Sequence, residues 1–378
     1  MPTPPKGPRL LAKRPPRVDE VVDRLLLRLT PAAYPISLPR RVVRDAVHFS
    51  VSLASELTGV VRAAPAFLGE LTREGLYPER MTARKLPYRP EVADLAVLRE
   101  ANPQWQFRAD FDPSKWVFVF LHGYVDNTGA DRIAHKLARL GYQVYLVRYP
   151  FLRSVRSLAD ELGDVIADIA IEEPGKRLVP MGHSLGGLIW DHLLLHDHDA
   201  VRRYRMPLYI PLGSPHFGTF AAFLAVGDSG AEMRPHSDLI NEHRSLEFPP
   251  ELEIYPFVSR FDLLVLPIET ALLARGINYV LSETGHVGQI INSTVVTAVE
   301  EIIATPPAIL SKRAEQRPFH PSLLASALNA LPPRLQRRLG VEGVMREIFG
   351  DGAARPRYRV RGVRHELDLG IFPALRRP

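Results

Sequence analysis

The sequence predicts an α/β fold, a mostly parallel central sheet with helices on both faces. Three observations carry this. Short, almost purely apolar runs recur at Lys115 to Leu121, Gln143 to Tyr149, Leu178 to Met181 and Pro207 to Leu212. Amphipathic helical patterns separate them, and such alternation of strand and helix is the sequence form of a parallel sheet. The runs lack the apolar–polar alternation of a half-exposed strand, so both of their faces are expected to be buried.

The composition sets bounds. A chain of 378 residues suits one large α/β domain with additions. It contains no cysteine, which excludes disulfides, thiolate metal sites and a thiol nucleophile. Met1-Pro2-Thr3-Pro4-Pro5-Lys6 lacks the apolar core of a secretory signal. The uncharged run Met206 to Gly227 is interrupted by Pro207, Pro211 and Pro215 and reads as strand, loop and helix, not as a membrane span. A soluble, cytoplasmic protein is expected. Residues 1–108 carry 18 Lys/Arg against 11 Asp/Glu, residues 109–305 carry 16 against 25, and residues 306–378 carry 14 against 6. Basic flanks around an acidic middle favour docking of the flanks onto that middle, with peripheral contact with an anionic membrane as the other reading. Nucleic acid is not an expected partner.

Taken in order, residues 1–17 read as a disordered basic Pro-rich tail and 18–108 as a helical N-terminal extension. Within the extension, Val18, Val21, Val22, Leu25, Leu26 and Leu29 share one helical face, a second stripe covers 41–61 and a shorter one 66–73. The main domain is expected over 109–305. After the strand at 115–121 come a helix over 131–140 closed by Gly141, a strand, and a helix over 154–171 with Val155, Leu158, Leu162, Val165, Ile166 and Ile169 on its inner face. Residues 219–250 are mixed helix and loop, a cap inserted after the sixth strand of the fold and lying over the carboxyl edge of the sheet. Glu253 to Ser259 and Ile277 to Leu281 read as further strands and Val287 to Ile303 as the closing helix. In the basic C-terminal extension, 306–378, weak helices are expected near 321–331 and 341–349 and an edge strand near 358–363.

Chemistry concentrates at Gly182-His183-Ser184-Leu185-Gly186-Gly187, directly after the run ending at Met181. Strand, sharp turn and helix around a serine flanked by glycines is the form of a nucleophile elbow, which tolerates no bulk at the flanking positions. A serine needs a base to take its proton, and the base needs an acid to set its tautomer. Asp262 follows the strand after the cap and His286 follows the next strand. The order Ser184, Asp262, His286 is that of α/β-hydrolases. Asp228, Asp238, Glu269 and Glu283 are the rival acids, and His216 is the alternative base. The N–H groups of Leu185 and Tyr124 are the expected oxyanion donors, and His122, Gly123, His183, His216 and Phe217 the expected substrate lining.

With His122-Gly123, Gly213-Ser214-Pro215-His216-Phe217-Gly218-Thr219, Asp262-Leu263-Leu264-Val265-Leu266-Pro267 and Gly285-His286-Val287-Gly288, the set resembles the lipase-like branch of the α/β-hydrolases, the bacterial triacylglycerol lipases and their relatives. The segment Met233 to Leu239 is similar to their cap region, where glycine is common at the position of His236. The resemblance covers roughly 110–305. It implies cleavage of carboxylic esters through an acyl-enzyme on Ser184, with a lipid-like ester as substrate and no cofactor. An acyltransferase using the same triad, and a non-catalytic hydrolase-fold protein bound at membranes, are the alternatives. His192 and His196 stand one helical turn apart, a spacing that can bind zinc. No third ligand is evident nearby, so no metal site is expected.

Overall fold

The apolar runs become neighbouring strands of one sheet. The computed structural model describes residues 80–88, 95–124, 130–281, 284–314, 331–332, 334–336 and 357–361. In chain order these form β1 (Thr82–Lys85), α1 (Leu95–Ala101), β2 (Trp116–Leu121), α2 (Ala130–Arg139), β3 (Gln143–Arg148), α3 (Val155–Glu172), β4 (Arg177–His183), α4 (Leu185–His196), α5 (His198–Arg203) and β5 (Leu208–Leu212). There follow α6 (Gly227–Glu232), α7 (Asp238–Arg244), β6 (Glu253–Ile254), β7 (Phe257–Ser259), β8 (Ile277–Leu281), α8 (Gly288–Ile291), α9 (Ser293–Ala304), α10 (Pro307–Arg313) and β9 (Arg357–Arg361). The strand order is β1-β3-β2-β4-β5-β7-β8-β9, with β6 beside β5. Only β1 runs antiparallel to its neighbour among these described strands.

Alternation along β2 builds both cores. Trp116, Phe118 and Phe120 face Ile133 and Leu137 of α2 and Val295, Val299 and Ile302 of α9. Val117, Val119 and Leu121 face Leu158, Leu162 and Ile166 of α3 and Leu188 and Ile189 of α4. Every residue of β2 is fully buried, as the unbroken apolar run demands. Each such side chain contributes about 1.5–3 kcal/mol on burial, so truncating Phe118 or Phe120 to alanine should cost about 3–5 kcal/mol.

Several expectations shift in detail. A strand, β1, lies inside the segment read as a helical extension; it pairs with β3, and Lys85 Nζ reaches Glu173 Oε1 at 2.6 Å. The strand expected over 253–259 splits into β6 and β7 around Pro256, which has no N–H for a ladder. The closing helix splits at Asn292, whose side chain accepts the Thr294 N–H at 2.8 Å and caps α9. The segment read as a cap follows β5, the fifth strand among the described residues. The edge strand near 358–363 is β9, parallel to β8. His236 sits at φ 59°, which accounts for the glycine common at that position in similar cap segments. The tail 1–17, the helices read at 18–29, 41–61 and 66–73, and those near 321–331 and 341–349 lie outside the described residues. No helix among the described residues is long and apolar enough to cross a membrane.

Candidate active site

Ser184 occupies the junction of β4 and α4 at φ 53° and ψ −118°. A non-glycine residue there costs on the order of 1–3 kcal/mol and persists only where the surroundings impose it. They do. The Ser184 N–H donates to the Leu212 carbonyl at 2.9 Å, and the Ser184 carbonyl accepts the Gly187 N–H at 3.0 Å. A Cβ on Gly182 would lie 2.5 Å from the Gly186 carbonyl carbon, and one on Gly186 would lie 2.4 Å from the His122 carbonyl oxygen. The glycines therefore let three backbone segments touch around the serine.

Parallel pairing collects the remaining groups. Because β2 lies between β3 and β4, the loops leaving β2 and β4 meet at the switch point of the sheet, where open α/β sheets place their sites. A Cβ on Gly123 would lie 2.9 Å from His183 Nδ1 and 3.2 Å from Ser184 Cβ, so the His122-Gly123 segment runs against the elbow. Asp262 follows β7, His286 follows β8, and those strands pair.

His286 Nδ1 lies 2.7 Å from Asp262 Oδ2, with both side chains buried. Asp262 Oδ1 accepts the N–H groups of Leu264 at 2.9 Å and Val265 at 2.7 Å, and Oδ2 also accepts from Gln289 Nε2 at 3.3 Å. Four donors fix this carboxylate. With the Nδ1 proton committed to Asp262, Nε2 is the basic end of the ring. Ser259 Oγ bonds Thr284 Oγ1 at 2.8 Å and the Gly285 carbonyl at 3.0 Å, stapling the end of β7 to the loop after β8. Ser259, Thr284 and Gln289 were not legible in the sequence, since each acts across a gap of about 25 residues. Gly213, at φ 55°, makes room: a Cβ there would lie 2.5 Å from Gln289 Nε2 and 3.2 Å from His286 Nδ1.

The other candidates separate. His183 packs 4.6 Å from the His286 ring, and burial pushes its imidazole well below the ordinary histidine range. His122 stacks on Tyr149 at 4.2 Å, with Nδ1 2.7 Å from the Gly123 carbonyl. His216, the alternative base, gives its Nδ1 to Asp191 Oδ2 of α4 at 2.6 Å; Tyr209 donates to Asp191 Oδ1 at 2.9 Å. This second buried His–Asp pair thus engages α4. Phe217 is half-buried against the α3/α4 side of the core. Asp228 and Asp238 are exposed, Glu269 is buried, and Glu283 lies outside the described residues.

Leu185 opens α4, where the geometry of the first turn gives an N–H no intrahelical acceptor. Tyr124 closes the described part of the β2 loop, residues 125–129 lying outside it. Its hydroxyl accepts the Val226 N–H at 2.8 Å and donates to the Val226 carbonyl, so the same residue tethers the cap.

A parallel sheet with a serine elbow at its switch point, followed by an acid after β7 and a histidine after β8, is an α/β-hydrolase fold. No family model matches the chain, and no curated protein matches it. Among solved structures it is similar to a lipase of Bacillus licheniformis in mature form, at 16% identity over 60% of this chain and 99% of that one, TM-score 0.43. It is also similar to a thermophilic esterase of Thermogutta terrifontis, at 14% identity over 60% and 94%, TM-score 0.36. XC6422 of Xanthomonas campestris, a serine hydrolase without a lid, aligns at 15% identity over 62% and 100%, TM-score 0.35.

Proposed function

We propose that this protein is a serine hydrolase that cleaves carboxylic esters of hydrophobic acyl groups. The observation that carries the reading is the buried His286–Asp262 pair at the same sheet edge as the strained Ser184. His286 Nε2 takes the Ser184 proton as Oγ adds to the ester carbonyl carbon. The oxyanion forms against the N–H groups of Leu185 and Tyr124, at the N-terminus of α4, where the helix dipole favours negative charge. Collapse expels the alcohol with the proton from His286 and leaves an acyl group on Ser184. Water then attacks with His286 again as base, releasing the acid and restoring the serine.

The apolar character of the substrate is supported by the cap. Leu224 is 91% exposed, with Phe223 and Val226 also exposed beside it, and Val226 is the residue tied to Tyr124 of the oxyanion loop. Such an apolar rim suits an acyl chain better than a polar ester.

The test is labelling with a fluorophosphonate, followed by hydrolysis of a chain-length series of p-nitrophenyl esters. Wild type should label and turn over; Ser184→Ala should do neither. Retained turnover in Ser184→Ala would sink the reading.

A further inference from the structure

The helix behind the nucleophile ends in a cluster of imidazoles that ester cleavage does not use. His192 and His196 stack one turn apart on α4 with 4.0 Å between ring centroids. The cap lays α7 across them. His196 Nε2 lies 2.8 Å from Glu242 Oε1, and His192 Nδ1 lies 3.1 Å from His243 Nε2. One ligand atom each from His192, His196 and Glu242 lie within 4.8 Å of one another. A tetrahedral Zn2+ with bonds of about 2.0–2.1 Å holds its ligand atoms roughly 3.4 Å apart. The three donors thus stand within about 1.4 Å of that spacing.

The hydrogen bonds around the cluster point the same way. His196 Nδ1 lies 2.8 Å from the His192 carbonyl, which can only accept, so that nitrogen carries the proton. In the neutral ring Nε2 is then a lone pair, and it faces a carboxylate oxygen at 2.8 Å. That nitrogen and that oxygen are the pair of donor atoms a metal ion would take. An Nδ1–H held by a backbone carbonyl is also the usual way a metal-bound histidine is oriented. Arg156 Nε holds the other oxygen of Glu242, Oε2, at 3.2 Å, which leaves Oε1 turned toward the histidines.

We propose that His192, His196 and Glu242 bind one Zn2+ ion that clips cap helix α7 to nucleophile helix α4, with His243 positioning His192. His196 lies twelve residues beyond Ser184 at the far end of α4, roughly 18 Å away at the helical rise, so the ion acts on cap attachment and not on the ester. The third ligand, not evident from sequence spacing, is Glu242 on α7.

The test uses untagged, chelator-dialysed full-length protein titrated with Zn2+ by calorimetry and with Co2+ by visible absorption. Folded wild type should bind one ion per chain with sub-micromolar affinity, show tetrahedral Co2+ bands and gain thermal stability. His196→Gln, at an exposed position, and Glu242→Gln, at a half-buried one, should each weaken binding at least tenfold and lose the metal-dependent gain. His198→Gln, whose ring contacts the Glu247 carbonyl instead, should bind as wild type does. Absence of stoichiometric binding by folded wild type overturns the proposal, as does undiminished binding in both ligand variants. If those variants fail to fold, the Co2+ spectrum of wild type decides: octahedral bands alone reject the site.

Discussion

Asp262 Oδ2 and His286 Nδ1 stand 2.7 Å apart, while the other carboxylate oxygen of Asp262 is taken by the N–H groups of Leu264 and Val265. One side chain thus orients His286 and shapes its own loop. Asp262→Asn keeps an oxygen for the loop but loses the acceptor that selects the histidine tautomer. On the proposed mechanism kcat should fall about 10³–10⁴-fold with the fold intact. Ester kinetics and circular dichroism on the same preparation check both halves. Asp262→Ala should in addition lower Tm, because two buried N–H groups lose their acceptor.

Two glycines make opposite predictions. A Cβ on Gly187 would lie 1.7 Å from Ser214 Oγ and 2.5 Å from Ser214 Cβ. Gly187→Ala should destabilise by at least about 2 kcal/mol as α4 is pushed off the β5 loop. Gly163, inside α3, has nothing within 4 Å of its missing Cβ. Gly163→Ala should stabilise by about 0.5–1 kcal/mol through helix propensity alone. Urea unfolding of the two variants against wild type measures both.

Tyr124→Phe removes the hydroxyl that both accepts from and donates to Val226, and leaves the backbone N–H proposed as an oxyanion donor. The cap should open more readily over residues 220–230. Hydrogen exchange there should quicken, and KM should change more than kcat. An equal loss in kcat would place the hydroxyl in the chemistry.

Glu300, buried on α9, is pushed up to about 7 by desolvation, with only a long contact to Tyr142 at 3.4 Å. Its folded pKa exceeds the unfolded one, so between pH 4.5 and 7 the native state binds the extra proton. Stability from this group therefore falls as pH rises through that window, and the deficit is fully present above it, about 3 kcal/mol. Glu300→Gln should flatten the slope and raise stability at pH 8. Urea midpoints at pH 5, 6, 7 and 8 for both proteins provide the measurement.

Much of this was legible from local pattern. The apolar runs at 116–121, 143–148, 208–212 and 277–281 became strands, each five or six residues long and buried on both faces. The elbow announced itself because Gly182, Gly186 and Gly187 each meet backbone or Ser214 closer than a Cβ permits. Less legible were features where one residue overrides a periodic pattern. Pro256 divides a strand, and the Asn292 cap divides a helix whose apolar periodicity runs through it.

By itself, then, the sequence determined the α/β class and the central strands to within about two residues, and it singled out Ser184, Asp262 and His286 as candidates, because hydrophobic period and glycine placement act over a few neighbours. Only tertiary structure decided which polar groups meet. His216 went to Asp191 and not toward Asp262, Tyr124 to Val226 across 102 residues, and His196 to Glu242 across 46. Those pairings follow from the path of the cap over the sheet, and a polar side chain carries no record of its distant partner in its own flanking sequence.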